Sequence, residues 1–183
     1  AATLAFSATK NNDKIGLMLF TDKIELYIPP KKGRSHVLRI IRELLEFHPD
    51  NSATDITGAL KYLSNVMKKK AIVFILSDFM NEGYQHTLKI ASNRHDVTGI
   101  RIFDKMEESI PNLGLVQMQD AESGNYITVD TSSKSVRNSY SKYYQERMDY
   151  FLQSFSVSGA GTINNRTDEN YVKKLLGYFK RRA

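Results

Sequence analysis

Five side chains stand where oxygen chemistry could be done. Asp78 follows the apolar run Ala71-Ile-Val-Phe-Ile-Leu-Ser77, and Asp104 closes the run Asp96-Val-Thr-Gly-Ile-Arg-Ile-Phe103, with Glu107 three residues beyond. Thr54 and Asp55 end the polar stretch Asn51-Ser-Ala-Thr-Asp55, which leads into an amphipathic segment. Carboxylates at the ends of two buried strands can share a proton or hold a hard divalent cation, which takes oxygen ligands. The same residue types are also the preferred first residues of helices, where a side-chain oxygen accepts a backbone N–H. Both roles remain open at this level for Thr54, Asp55 and Asp78; Asp104 with Glu107 and Glu108 reads either as part of such a site or as a solvated acidic loop.

Other chemistries find little support. The chain has no Cys, so thiolate sites and disulfides are excluded. His36, His48, His86 and His95 are scattered without metal-ligand spacing, and there is no phosphate loop, no Gly-x-Gly-x-x-Gly and no nucleophile elbow. Catalytic residues are therefore not assigned, and the chain is read as non-enzymatic. The net charge is +6, with basic runs at Lys31-Lys-Gly-Arg34, Lys68-Lys-Lys70 and Lys180-Arg-Arg182. Such runs can attract phosphates. No aromatic residues interleave with them as base-stacking would require. Lys and Arg also suit helix ends, where they face the negative pole of the macrodipole. No apolar run approaches the ~20 residues that span a bilayer. The expected location is cytoplasmic, with peripheral membrane attachment allowed for.

The elements that must position these residues are legible from periodicity. Residues 1–11 read as a helix. Ile15–Phe20 is a continuous apolar run, a strand buried on both faces. Residues 24–28 alternate as an edge strand that Pro29-Pro30 stops. The two strands should pair antiparallel. Helices are expected over 35–47, 55–69 and 83–93, and parallel neighbouring strands over 71–77 and 97–103. A hairpin should join 113–118 to 126–129 around Glu122-Ser-Gly-Asn125. A long helix follows over 135–155 with an aromatic stripe, then a weak strand over 159–164 and a last helix opened by Thr167-Asp-Glu169. Strands alternating with helices imply an α/β fold with a mostly parallel sheet.

In order along the chain come Gly16-Leu-Met-Leu-Phe-Thr21, Pro29-Pro-Lys-Lys-Gly-Arg34, Thr54-Asp55, Ser77-Asp-Phe79, Asp104 with Glu107 and Pro111, Asp120-Ala-Glu-Ser-Gly124 and Val129-Asp-Thr131. In this order the chain resembles the family called domain of unknown function 58, with a fold like the von Willebrand factor type A domain. The resemblance covers nearly the whole length. It implies a three-layer, Rossmann-like α/β fold over residues 1–183, with a mostly parallel open sheet, one antiparallel edge strand and a small hairpin insertion. Type A domains hold a metal ion in an adhesion site made by an Asp-x-Ser-x-Ser loop, a Thr and a later Asp. The resemblance maps the Thr onto Thr54 and the later Asp onto Asp78, and makes Asp55, Asp104 and Glu107 a partner-binding edge. No Asp-x-Ser-x-Ser occurs. The nearest match, Asp130-Thr-Ser-Ser-Lys134, puts Lys where the second Ser belongs and follows a hairpin strand. The family's first strand and first metal-site loop are thus expected upstream of Ala1. The site over 1–183 is expected to be an incomplete remnant, with Mg²⁺ bound in an intact protein but not by this chain alone.

The resemblance further implies a non-enzymatic protein-interaction module, an adaptor that works with a MoxR-type AAA+ ATPase. Self-association is a further expected outcome of a sheet lacking its central strand. Two alternatives remain: a metal-dependent hydrolase built on Asp78 and Asp104, and a nucleic-acid binder acting through the basic runs.

Overall fold

A computed structural model describes residues 1–119 and 125–182. The chain divides into two compact units, Ala1–Tyr62 and Leu63–Ala183. The Asp120–Gly124 part of the family pattern and the tip of the expected hairpin lie outside the described residues.

The first unit holds α1 (Ala2–Lys10), β1 (Ile15–Phe20), β2 (Ile24–Lys31), α2 (Arg34–Glu46) and the start of α3 (Ile56–Val66). β1 and β2 pair antiparallel, as the alternation predicts. Pro29-Pro30 does not stop β2, which runs on to Lys31. The register explains why. Leu17 faces Ile28 but Ile15 faces Lys31, so an extra residue is accommodated on β2 where the prolines lie. A bulge releases the ladder from needing their missing N–H groups. β1 is half-buried rather than enclosed on both faces. His36 of α2 bonds the Ile15 carbonyl at 2.8 Å and anchors that helix to the strand.

The second unit holds β3 (Ile72–Ser77), α4 (Gln85–Arg94), β4 (Asp96–Phe103), α5 (Lys105–Glu108), β5 (Leu115–Gln119), β6 (Tyr126–Asp130), α6 (Lys134–Val157), β7 (Gly161–Arg166) and α7 (Tyr171–Lys180). Its main sheet is parallel, in the order β3-β4-β7, and β5-β6 is a separate antiparallel pair. The architecture is mixed α/β, as expected. Some boundaries differ. α3 stops at Val66, so Lys68-Lys-Lys70 lies beyond the helix and not in its last turn. α7 begins only at Tyr171, where Asn170 accepts the Lys173 N–H at 3.1 Å. The anionic Thr167-Asp-Glu169 is instead a turn closed by the Arg166 N–H on the Glu169 carboxylate.

β4 is the centre of this unit and is buried almost throughout, as a middle parallel strand must be. Its two faces meet different helices. Gly99 opens one face to α6, whose Phe151 and Phe155 lie over it. Thr98 opens the other to α7, bonding the Tyr178 hydroxyl at 2.7 Å. Phe79, Phe151 and Phe155 are wholly enclosed, with ring centroids 4.5 to 5.3 Å apart. Each such ring stabilises the fold by about 1.5–3 kcal/mol through burial. A Cβ on Gly99 would come within 2.6 Å of the Phe155 ring. Gly99→Ala is therefore expected to destabilise the unit by about 1–3 kcal/mol through overpacking, read as a lower denaturant midpoint.

Candidate functional site

The carboxyl end of β3 is built on a locked turn. Asp78 is exposed, but Phe79 beside it is wholly buried and takes a left-handed backbone, φ 55°. A bulky residue in that region costs about 1–3 kcal/mol unless its surroundings impose it. Two features do so here. The Phe79 ring is held in the aromatic core against Tyr84, Phe151 and Phe155. The Arg101 guanidinium of β4 donates from Nε to the Asp78 carbonyl at 2.7 Å. Around the turn, Ser77 Oγ accepts the Phe79 N–H at 3.1 Å, and Asp78 Oδ1 accepts the Met80 N–H at 3.2 Å. The chain therefore holds the Asp78 backbone tightly and leaves its carboxylate facing outward.

Arg101 is the residue that sequence reasoning missed. It is completely buried. No carboxylate of the described residues comes within ion-pairing distance. It donates to the Tyr144 hydroxyl at 2.9 Å, and its guanidinium carbon lies 4.6 Å from the Phe103 ring centroid and 4.8 Å from that of Tyr144. Sulfur atoms of Met148 and Met80 complete its surroundings. Aromatic faces and soft acceptors offset part of the desolvation of a buried cation. The signal was present: Arg101 is a charge inside the strand segment Val97-Thr-Gly-Ile-Arg-Ile-Phe103, which is expected to be buried.

At the end of β4, Asp104 caps α5. Its Oδ1 accepts the Met106 N–H at 2.9 Å, while Glu107 reaches back to the Asp104 N–H at 2.8 Å, a reciprocal capping box. Thr167, just past β7, donates to the other Asp104 oxygen at 2.8 Å. These donors, the Met106 amide first, hold the Asp104 carboxyl below its ordinary pKa. The structure brings Asp104 and Glu107 together at the same edge as Asp78.

Thr54 and Asp55 belong to the first unit. The Asp55 N–H bonds the Thr21 carbonyl at 2.8 Å, which ties this loop to the carboxyl end of β1. Asp55 Oδ1 accepts the Gly58 N–H at 2.9 Å and so caps α3. Thr54 is half-buried beside it. In Asp130-Thr-Ser-Ser-Lys134 the residues also serve a helix start: Asp130 bonds the Ser132 N–H at 3.0 Å, and Ser133 caps α6.

Within its own turn Asp78 is joined by one hydroxyl, Ser77, which already accepts the Phe79 amide. Those two oxygens do not by themselves make a Mg²⁺ site. Among the described residues no three His, Asp or Glu side chains gather as metal ligands would.

The second unit thus belongs to the class of parallel α/β sheets covered by helices on both faces. The chain itself belongs to the family described as protein of unknown function DUF58, whose model matches residues 1–149. An uncharacterized protein of Mycobacterium tuberculosis is 21% identical over 181 residues, covering 97% of this chain. The chain spans only 57% of that relative's length. An uncharacterized protein of Mycobacterium avium is 24% identical over 160 residues, covering 85% of this chain and 93% of that protein. Among solved structures, an aerotolerance-related membrane protein from Bacteroides fragilis, crystallised with multiple mutations to serines, shares the fold. Its TM-score is 0.56 at 16% identity, over 100% of this chain and 87% of that one. Among the described residues no helix is long and apolar enough to cross a membrane.

Two outcomes are expected. Arg101→Met removes a charged donor that contributes about 1.5–3 kcal/mol, but also removes a buried cation without a carboxylate partner. The loss should be local: hydrogen exchange at the Phe79 and Met80 amides accelerates by about tenfold or more, while global unfolding changes less. Second, the Asp104 pKa is depressed in the folded state, so its stabilising effect is present above the ordinary aspartate range and lost as pH falls through the folded value. Asp104→Asn should flatten the acid limb of a stability-versus-pH curve.

Proposed function

We propose that the chain is a non-enzymatic protein-interaction module of von Willebrand factor type A-like character, which presents the carboxyl edge of its parallel sheet to a protein partner. The single observation that carries this reading is the Asp78 turn. Its carbonyl is clamped by a buried guanidinium and its neighbour Phe79 is fixed in the core, yet the carboxylate itself faces outward. A rigidly held acidic group is suited to recognition, because little further ordering is needed on binding. Open α/β sheets also engage ligands beyond the carboxyl ends of their strands. Asp104 and Glu107 stand on the same edge and extend the acidic surface. The partner that the family resemblance points to is a MoxR-type AAA+ ATPase, with the chain as its adaptor.

The test is binding of the full-length protein to the MoxR-type ATPase of its own organism, measured by surface-immobilised interferometry. Asp78→Ala should weaken binding by about tenfold or more, the effect of losing one well-placed contact of about 1.4 kcal/mol or more. The unfolding midpoint should stay near that of the parent, because the side chain is exposed. Unchanged affinity in Asp78→Ala would remove this edge from the interface.

A further inference from the structure

The β5-β6 hairpin is anchored at its base and uncovered along its length. Its two strands form a sheet of their own and pack mainly on each other. Thr131, at the base, is wholly buried. Its hydroxyl donates to the Gly114 carbonyl at 2.7 Å and accepts the Leu113 N–H at 2.9 Å. Arg137 of α6 donates to the Thr131 and Ser132 carbonyls at 2.6 and 2.8 Å. Only residues 109–112 separate α5 from this base, and α5 packs against α6 as well. The hairpin therefore shares the end of the unit where Asp104 and Glu107 stand.

The register gives the hairpin one apolar face. Val116 lies opposite Val129 and Met118 opposite Ile127, while Gln117 pairs with Thr128 on the reverse. Ile127 is 56% exposed and the other three are half-buried. A two-stranded ribbon alone is marginal in water, and contiguous exposed apolar groups mark interaction surfaces. Charge selects what covers this one. From Asp104 to Thr131 the sequence holds no Arg or His and a single Lys, Lys105, in a chain of net charge +6. Asp104, Glu107, Glu108 and Asp130 lie on that stretch, so its complement is cationic. Size selects the form. Two strands about 4.8 Å apart make a face about as wide as one helix. Strands of five residues are about 17 Å long, or about three helical turns.

We propose that the face of Val116, Met118, Ile127 and Val129 seats a cationic amphipathic helix of the partner protein. This rests on the reading of the carboxyl edge as a protein-binding surface, and it adds the apolar contact that the carboxylates lack. The helix lays its apolar stripe on the hairpin and turns its Lys and Arg residues toward the carboxylates of α5.

The probe is a synthetic peptide of Leu and Lys, about 14 residues long so that it can hold a helix, with Leu along one face. It is titrated into the full-length protein and followed by amide NMR. Saturable shifts confined to β5, β6 and α5 are expected. Ile127→Ser should weaken binding about tenfold, the effect of losing one well-placed apolar contact. Unshifted Gly114 and Thr131 amides in that variant show that the hairpin is kept. Leu176→Ser removes an equally exposed apolar group from α7 and should leave the affinity unchanged. A peptide with Glu in place of Lys should bind at least tenfold more weakly. The proposal is overturned if the shifts fail to saturate or spread beyond the hairpin and α5. It is overturned equally if Ile127→Ser binds like the parent, if Leu176→Ser loses as much, or if the Glu peptide binds as well. Concentration-dependent shifts of the same amides without peptide assign the face to a second copy and also overturn it. No ATPase enters this readout, so it fails or succeeds separately from the Asp78→Ala test.

Discussion

The second unit is organised around one buried cation. A guanidinium in a protein interior loses its hydration and must recover it from whatever surrounds it. Arg101 does so from a backbone carbonyl on the neighbouring strand's exit turn, a tyrosine hydroxyl, two aromatic faces and methionine sulfur. Each source constrains another element. The carbonyl fixes the turn after β3, and Tyr144 and Met148 fix the rotation of α6 over β4. With that rotation set, Phe151 and Phe155 come down on Gly99, where no side chain stands in the way. A local electrostatic requirement is thus met by the placement of a 24-residue helix.

Most elements could be read from the sequence because their burial is periodic. β3 and β4 are apolar runs of strand length, and they pair parallel in register from Ile72 with Asp96 to Ser77 with Arg101. α6 carries Tyr144, Phe151 and Phe155 at helical spacing, and these are its buried rings. What failed were rules that see one residue at a time. Pro29-Pro30 reads as a stop, but whether a proline breaks a strand depends on which N–H groups the partner needs, and that is set by register. Thr167-Asp-Glu169 has the composition of a helix start, but Glu169 turns back to the Arg166 amide and the helix waits for Asn170.

The candidate site was legible in part. Position relative to strand ends placed Asp78 and Asp104 at one edge, because parallel strands bring all their exits to the same side. The role of Asp104 was also foreseeable, since Asp104-Lys-Met-Glu107 has the spacing of a capping box. Arg101 stood out as a charge inside a buried strand, but its role did not, because that role comes from Asp78 and Tyr144, which lie elsewhere in the fold.

Parallel topology also explains why the two edges differ in character. Every exit of β3, β4 and β7 falls on one edge, and there the sequence places Asp78, Asp104 and Thr167. Every entry falls on the other, which gathers Lys70 before β3, Asp96 at the start of β4 and Gly159 before β7. α7 follows β7 and returns along the sheet, so its end delivers Arg182 to the entry edge, where it pairs with Asp96 and bonds Tyr178. Asp78 and Asp104 stand at one end of the sheet, and the two basic runs that end in Lys70 and Arg182 meet at the other. At the acidic end Asp104 accepts the Met106 N–H and the Thr167 hydroxyl and Glu107 accepts the Asp104 N–H, while exposed Asp78 accepts the Met80 N–H through Oδ1. At the basic end Arg182 is consumed by Asp96, Thr98 and Tyr178, while Lys70 is exposed. The two edges thus differ in what their charges are left to meet: an exposed carboxylate at Asp78 and an exposed ammonium at Lys70.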